Sequence, residues 1–238
     1  MFLQFEQRLS ESPYVERVWR SRSAAGGWFY SMAEPNLELV IARLGGTAQA
    51  ILRGPVTRAS IADCPADGEW LGVRFRLGTH LPRFPVAALL DHQSLVLPGG
   101  ADGSFWLDDR WWEAPTFDNA ETFAARLAAA GVIARDGVVD VVLGGDRPRL
   151  GLRSIQRRFL QFTGLTREAL RQIERARHAA QLLRDGLGVL DVVDQAGYFD
   201  QPHLSRALKR LIGPTPGELA HGQDQLSLLY KTDAPPWA

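Results

Sequence analysis

Cysteine, net charge and long apolar runs are all scarce in this 238-residue chain. Its single cysteine, Cys64, excludes an intramolecular disulfide framework and a zinc site built on several thiolates. It fits a reducing compartment, so a cytoplasmic protein is expected. No apolar stretch approaches the ~18 residues of a membrane span. The N-terminal MFLQFEQRLSESPYVERV carries glutamates early and lacks a long apolar core, so it does not read as a signal peptide. G-x-S-x-G, Walker A and dinucleotide glycine patterns are missing. His80 and His92 share a region without H-x-H or H-E-x-x-H spacing, so neither a metal nor another cofactor is expected. Cys64, between Asp63 and Pro65, reads as a passive thiol in a loop, and Asp108-Asp109 as a turn rather than a catalytic pair. There is no solenoid repeat and no low-complexity segment.

What is present is the composition of an ordinary globular protein, with 45% hydrophobic and 23% charged residues. The zero net charge hides a division. Residues 147–222 hold 13 Arg/Lys against 7 Asp/Glu, and the remainder holds 14 against 20. A basic C-terminal region behind an acidic N-terminal one suggests that only the former meets a polyanion.

The first 115 residues read as mostly β. Candidate strands run near 15–22, 28–32, 37–44, 48–53 and 70–77, with Leu37, Leu39 and Ile41 opposite Glu38, Val40 and Ala42. Gly45-Gly46 is a hairpin signal and Gly54-Pro55 a turn. Short strands with this punctuation suggest a small barrel or sandwich. A short helix is expected through Asp91, and an irregular aromatic stretch over 99–117, where Trp111-Trp112 suits an interface or dimer contact as well as a pocket lining. Asp118 and Glu121 have capping-box spacing ahead of a helix with Phe123, Leu127 and Ala130 on one stripe, ended by Gly131.

Beyond a boundary between 115 and 135 the pattern turns helical. Leu152, Ile155 and Phe159 form a stripe, with Arg153, Gln156 and Arg157 on another face, and Gly164 ends that helix. Thr166 caps a helix of about 19 residues, roughly 28 Å long, with the stripe Leu170, Ile173, Ala176, Ala180 and Leu183. Val189–Ala196 is a short apolar helix broken by Gly197. In GYFDQPHLSRALKRL (197–211), Asp200 is an N-cap and Pro202 sits in the first turn. Leu204, Leu208 and Leu211 make a buried stripe, while Gln201, His203, Ser205, Arg206, Lys209 and Arg210 project elsewhere, and Gly213 closes the helix. Thr215, Pro216 and Glu218 open a last short helix with a capping box. A tail follows from Gln223 to Ala238. Helix, glycine turn and basic helix make the helix-turn-helix pattern. Two such polar helices flank one long helix, and DNA repeats its major groove every ~34–36 Å. Arg reads guanine, Gln reads adenine, and Arg and Lys neutralise phosphates.

Over residues 137–222 the sequence resembles the AraC-type transcriptional regulators, most closely in SIQRRFLQFTG (154–164) and GYFDQPHLSRALKRLIGPTPGEL (197–219). The resemblance implies two helix-turn-helix units flanking a linker helix, with base-reading positions at Arg153, Gln156 and Arg157 in the first unit and Gln201, His203 and Arg206 in the second. Lys209 looks like a phosphate contact. Departures stand at Gly144, Gly145, Arg149 and Gly151 in the first unit, for which poor order or an altered angle is the expectation, and at Val193 and Leu208 in the second. SPYVERVWR (12–20), PNLELVI (35–41), GP (54–55) and WLGVRFRLGTHLP (70–82) are similar to sensor domains of one branch of that family, which implies a cupin-like effector domain.

The expected fold class is therefore α+β in two domains. Residues 1–130 make a small β-barrel or cupin-like domain with a helix, 131–222 an all-α domain with two helix-turn-helix units, and 223–238 a tail. Trp28, Tyr30 and Trp70 offer aromatic walls for an effector pocket, and Glu38, Arg53 and Arg74 polar handles. The competing view is that these aromatics are core and the charges surface. The expected function is a sequence-specific, non-enzymatic regulator of double-stranded DNA. RNA polymerase and an unidentified small-molecule effector are further candidate partners, and monomer and homodimer stay open. The alternatives are an N-terminal domain that only dimerises the protein, and a small barrel enzyme with a helical accessory domain.

Overall fold

The computed structural model describes residues 3–91, 94–100, 102–146 and 150–222. His92, Arg149 and the tail from Gln223 lie outside the described residues. In chain order the elements are β1 (Leu3–Leu9), β2 (Val15–Ser23), β3 (Gly27–Ser31), β4 (Glu38–Leu44), β5 (Thr47–Arg53), β6 (Ser60–Cys64), β7 (Glu69–Phe75), β8 (Thr79–His80), β9 (Leu95–Val96), β10 (Phe105–Leu107) and β11 (Arg110–Trp112). There follow α1 (Ala120–Ala129), β12 (Ala134–Arg135), α2 (Gly137–Leu143), α3 (Leu152–Thr163), α4 (Arg167–Arg184), α5 (Val189–Gln195), α6 (Gln201–Leu211) and α7 (Pro216–His221). No helix among the described residues is long and apolar enough to cross a membrane.

The contacts gather these elements into two compact units. One comprises the described residues of Met1–Gly27, Pro35–Pro55 and Pro65–Thr166; the other those of Trp28–Glu34, Val56–Cys64 and Arg167–Ala238. Neither is continuous in sequence.

The first unit is built on an antiparallel sheet in the order β1-β2-β7-β4-β5-β9. Among the described residues the expected barrel is not formed: the sheet is open, with β1 and β9 at its edges. β4 and β5 meet in a two-residue turn, Leu44 opposite Thr47, and Gly45 and Gly46 take φ of +55° and +81°, a twist that suits a tight hairpin. Leu39, Ile41, Leu52, Val73 and Val18 line one face and pack against Phe123, Ala124 and Leu127 of α1. The stretch expected to be irregular holds the hairpin β10–β11. Its turn is Asp108-Asp109, with φ of +51° and +61°. Cys64 is buried at the end of β6 rather than in a loop. β1 and β6 are strands that the sequence pattern left unassigned. The short helix expected before Asp91 is a single 3-10 turn, Val86–Leu89.

Glu121 does not close the capping box expected with Asp118. Asn119 occupies the N-cap of α1, and Glu121 instead accepts both Arg8 guanidinium nitrogens, at 2.5 and 2.8 Å. Arg8 also donates to the Phe117 carbonyl at 2.6 Å, so one residue ties the edge strand to α1. The hydrogen bond from Arg8 holds the Glu121 carboxyl at about 2, against 4.5 ordinarily. A carboxyl whose pKa falls on folding stabilises the protein above its unfolded value, and that stabilisation disappears as pH drops through the folded value. The pair is one-third exposed, so screening limits it to about 1–2 kcal/mol. In denaturation series the stability gap between wild type and Glu121→Gln is expected to be full above pH 4.5 and to close towards pH 2. A gap independent of pH would deny the ion pair that role.

In the second unit, β3 and β6 pair as a two-stranded ribbon, extended by a bridge between Glu34 and Val56. The ribbon accompanies four helices. Along α4 the predicted stripe Leu170, Ile173, Ala176, Ala180 and Leu183 is buried, and α5, α6 and α7 pack on that helix. Thr215 and Glu218 form the predicted capping box of α7.

Candidate nucleic-acid interface

α6 has the local structure its sequence specifies. The Asp200 carboxylate accepts the His203 N–H at 2.7 Å, satisfying one of the donors a helix start leaves open. Leu204, Leu208 and Leu211 are buried at 0–1% exposure. That fixes the rotation of the helix and leaves Gln201, Arg206 and Lys209 exposed. His203 is half-buried, its ring edge-on to Tyr198 at 5.1 Å and its Nδ1 within 3.5 Å of the Phe199 N–H. Tyr198 itself lies beneath Arg175, whose guanidinium carbon is 4.5 Å from the ring centroid. Burial pushes the Tyr198 phenol up, and the Arg175 charge opposes that. Ahead of α6, Gly197 takes φ +68° and turns the chain out of α5.

The far end of α6 is closed by the ribbon. The last carbonyls of a helix have no partner within it. Here the Ala59 N–H donates to the Arg210 carbonyl and the Ala33 N–H to the Leu211 carbonyl, each at 2.8 Å. Arg177 on α4 donates to the Ala33 carbonyl at 2.7 Å and to Glu34 Oε2 at 3.0 Å. Gly213, at φ +112°, leaves room for the Tyr30 ring, which an added Cβ would approach to 2.4 Å. Nothing in the local pattern of 28–34 or 56–64 announces this role, because it is carried largely by backbone groups and one tyrosine.

α3 belongs to the first unit. Ile155 and Phe159 are buried, and Arg153, Gln156 and Arg157 are exposed on the other side. Leu152, expected in the buried stripe, is instead 77% exposed. It is the first residue of the helix, and the core contact begins one turn later at Ile155. α2 is a complete seven-residue helix capped by Asp136, which accepts the N–H groups of Val138 and Val139. Gly144 and Gly145 fall at its end rather than within it. Asp136 also receives Arg158 of α3 at 2.5 Å, so this arginine holds the helix pair together.

Two sets of basic residues on these helices differ in their engagement. Arg158, Arg171, Arg175, Arg177 and Arg210 make internal contacts, Arg171 with Glu168 and Arg210 with Gln172. Among the described residues no ion pair engages Arg153, Arg157, Arg206 or Lys209.

The six residues expected to line an effector pocket are divided between the two units. Trp28 and Tyr30 lie on β3 with the helical unit, their rings edge-to-face at 5.4 Å. Glu38, Arg53, Trp70 and Arg74 share one face of the six-stranded sheet, opposite the face that packs on α1. The register sets Arg17 beside Arg74, Arg74 beside Glu38, and Glu38 beside Arg53, a row of four ionisable residues across four strands. Glu38 accepts the Trp19 indole N–H at 2.7 Å and lies 3.7 Å from Arg74 Nε and 3.9 Å from Arg53 Nη1. Gly72 permits this: a Cβ there would fall 2.0 Å from the Trp19 ring. Trp19 and Arg17 are the members of the cluster that the sequence pattern did not single out. They sit on β2, distant in sequence from the rest.

A family model described as a helix-turn-helix domain matches residues 146–221. Comparisons with curated proteins and with solved structures give no match. The matched span covers α3 to α7, with the exposed basic positions of α3 and α6. Residues 146–221 are accordingly a helix-turn-helix domain of the AraC type, and the chain that carries them is a DNA-binding transcriptional regulator.

Proposed function

We propose that this regulator reads two successive major grooves, α3 entering one with Arg153, Gln156 and Arg157, and α6 the next with Gln201, His203 and Arg206. Lys209, near the end of α6, neutralises a phosphate. The observation that carries this reading is that Arg153, Arg157, Arg206 and Lys209 stand exposed on two amphipathic helices, outside any ion pair among the described residues. Uncommitted guanidinium groups suit bidentate recognition of guanine. The 18 residues of α4 would span about 27 Å, a length compatible with bridging two turns of the groove. On this reading residues 131–222 act as the DNA-binding module and 1–130 as the regulatory one, the cupin-like sensor of the resemblance. There a small-molecule effector would engage the polar face bearing Glu38, Arg53, Arg74 and Trp70.

A second reading, in which the β-rich module only dimerises the protein, is favoured by the closeness of packing around Glu38 and Arg74, which are 3% and 2% exposed. Selection of DNA from a random pool by the full chain, with and without a metabolite library, separates the two. A shift in affinity with a metabolite supports the sensor, and its absence across the library supports the dimerisation module. Within the selected site, Arg206→Ala is expected to cost about 1–3 kcal/mol of specific binding and to relax one base position. An equal loss on every sequence would reassign Arg206 to phosphate.

A further inference from the structure

Phe199 at 90% and Leu152 at 77% are the two most exposed large apolar side chains among the described residues. They stand close to the starts of two helices, two helix positions apart. Leu152 is the first residue of α3, and Phe199 stands immediately before Asp200, the N-cap of α6. Single exposed apolar residues are ordinary on protein surfaces. The coincidence is that the two extremes both lead the two helices carrying uncommitted basic residues. Neither is a product of a loose local fold. Phe199 is held between Tyr198, buried at 6%, and the Asp200 cap, while Leu152 follows the Gly151 cap of α3 and precedes the buried Ile155.

Resting on the groove-reading assignment above, we infer that Leu152 and Phe199 are the apolar readers of the interface, each covering the 5-methyl group of a thymine. The residues leading a recognition helix are those that reach base edges. The thymine methyl is the apolar feature of the major-groove edge, and apolar side chains are its complement. Charge supports DNA as the occupant: Leu152 is followed by Arg153, Gln156 and Arg157, and Phe199 by Gln201, Arg206 and Lys209. A polyanion is thereby drawn to the surfaces where these two side chains stand. The arginines and glutamine supply hydrogen-bond recognition of purines, and Leu152 and Phe199 add discrimination at A·T pairs.

The test uses the full chain and the duplex it selects from a random pool. Each thymine is replaced in turn by deoxyuridine, which deletes only the methyl group. Wild type is expected to lose about fourfold in affinity at one thymine for each residue, the worth of burying one methyl group. Phe199→Ala is expected to bind thymine and uracil equally at one of those positions, and Leu152→Ala at the other, with melting temperatures unchanged because both side chains are exposed. A flat deoxyuridine scan, or variants that keep the wild-type sensitivity, would overturn the assignment while leaving DNA binding intact. So would a loss of self-association in Phe199→Ala with unaltered DNA binding, which would make Phe199 a protein contact. A wild-type chain that prefers no sequence over random DNA would instead remove the groove-reading assignment, and this inference with it.

Discussion

Glu38→Leu is expected to destabilise the β-rich unit by about 3–5 kcal/mol, the range for removing one partner of a buried ion pair. Glu38 and Arg74 are both buried, and Glu38 also receives the Trp19 indole N–H. The substitution deletes the carboxylate that faces two arginines and strands a buried N–H donor, which is itself costly. The leucine recovers apolar burial but no hydrogen bond. Urea denaturation of wild type and variant measures the difference, and Arg53→Gln provides the contrast. Arg53 is 41% exposed at its side chain and 3.9 Å from Glu38, so its loss belongs with the small effects of exposed pairs. Equal effects of the two substitutions would contradict the burial that distinguishes them.

Leu204→Ala is expected to cost about 2–5 kcal/mol, the loss of transfer energy plus the cavity left behind. Leu204 is 0% exposed, as is Leu208 one turn on, and α6 packs against α4, α5 and α7. Since stability totals of about 5–15 kcal/mol are usual, a loss of this size removes much of what holds α6 in place. DNA binding should fall with it at ambient temperature and recover on cooling. Arg206→Ala should melt as wild type, so thermal melts distinguish loss of the helix from loss of a contact. An unchanged melt for Leu204→Ala would take this leucine out of the core.

The reading of α6 from its residues held because every signal was local: an aspartate before the first turn, a proline within it, leucines at helical spacing, a glycine beyond the end. Where local signals compete, the reading failed. Leu152 has the spacing of the α3 stripe, but the first residue of a helix meets the core only if the chain before it does, and Gly151 is exposed. Glu121 has capping-box spacing, but a guanidinium from β1 offers its carboxylate a stronger, charge-assisted partner. The barrel was expected from the number of short strands, and strand number carries no information on whether the outermost strands meet.

From its residues alone the chain determines the helices α1 and α3 to α7, which strands make the β4–β5 hairpin, and which basic side chains on α3 and α6 face away from the core. These are consequences of periodicity and capping, which act within a few residues. Tertiary structure alone decides that Arg17, Arg74, Glu38 and Arg53 stand in one row, because inter-strand register is set by pairing between segments distant in sequence. It alone also decides that residues 28–34 and 56–64 join the helical unit. Backbone N–H groups of Ala33 and Ala59 complete the open carbonyls of α6, and a backbone donor is the same at every residue except proline.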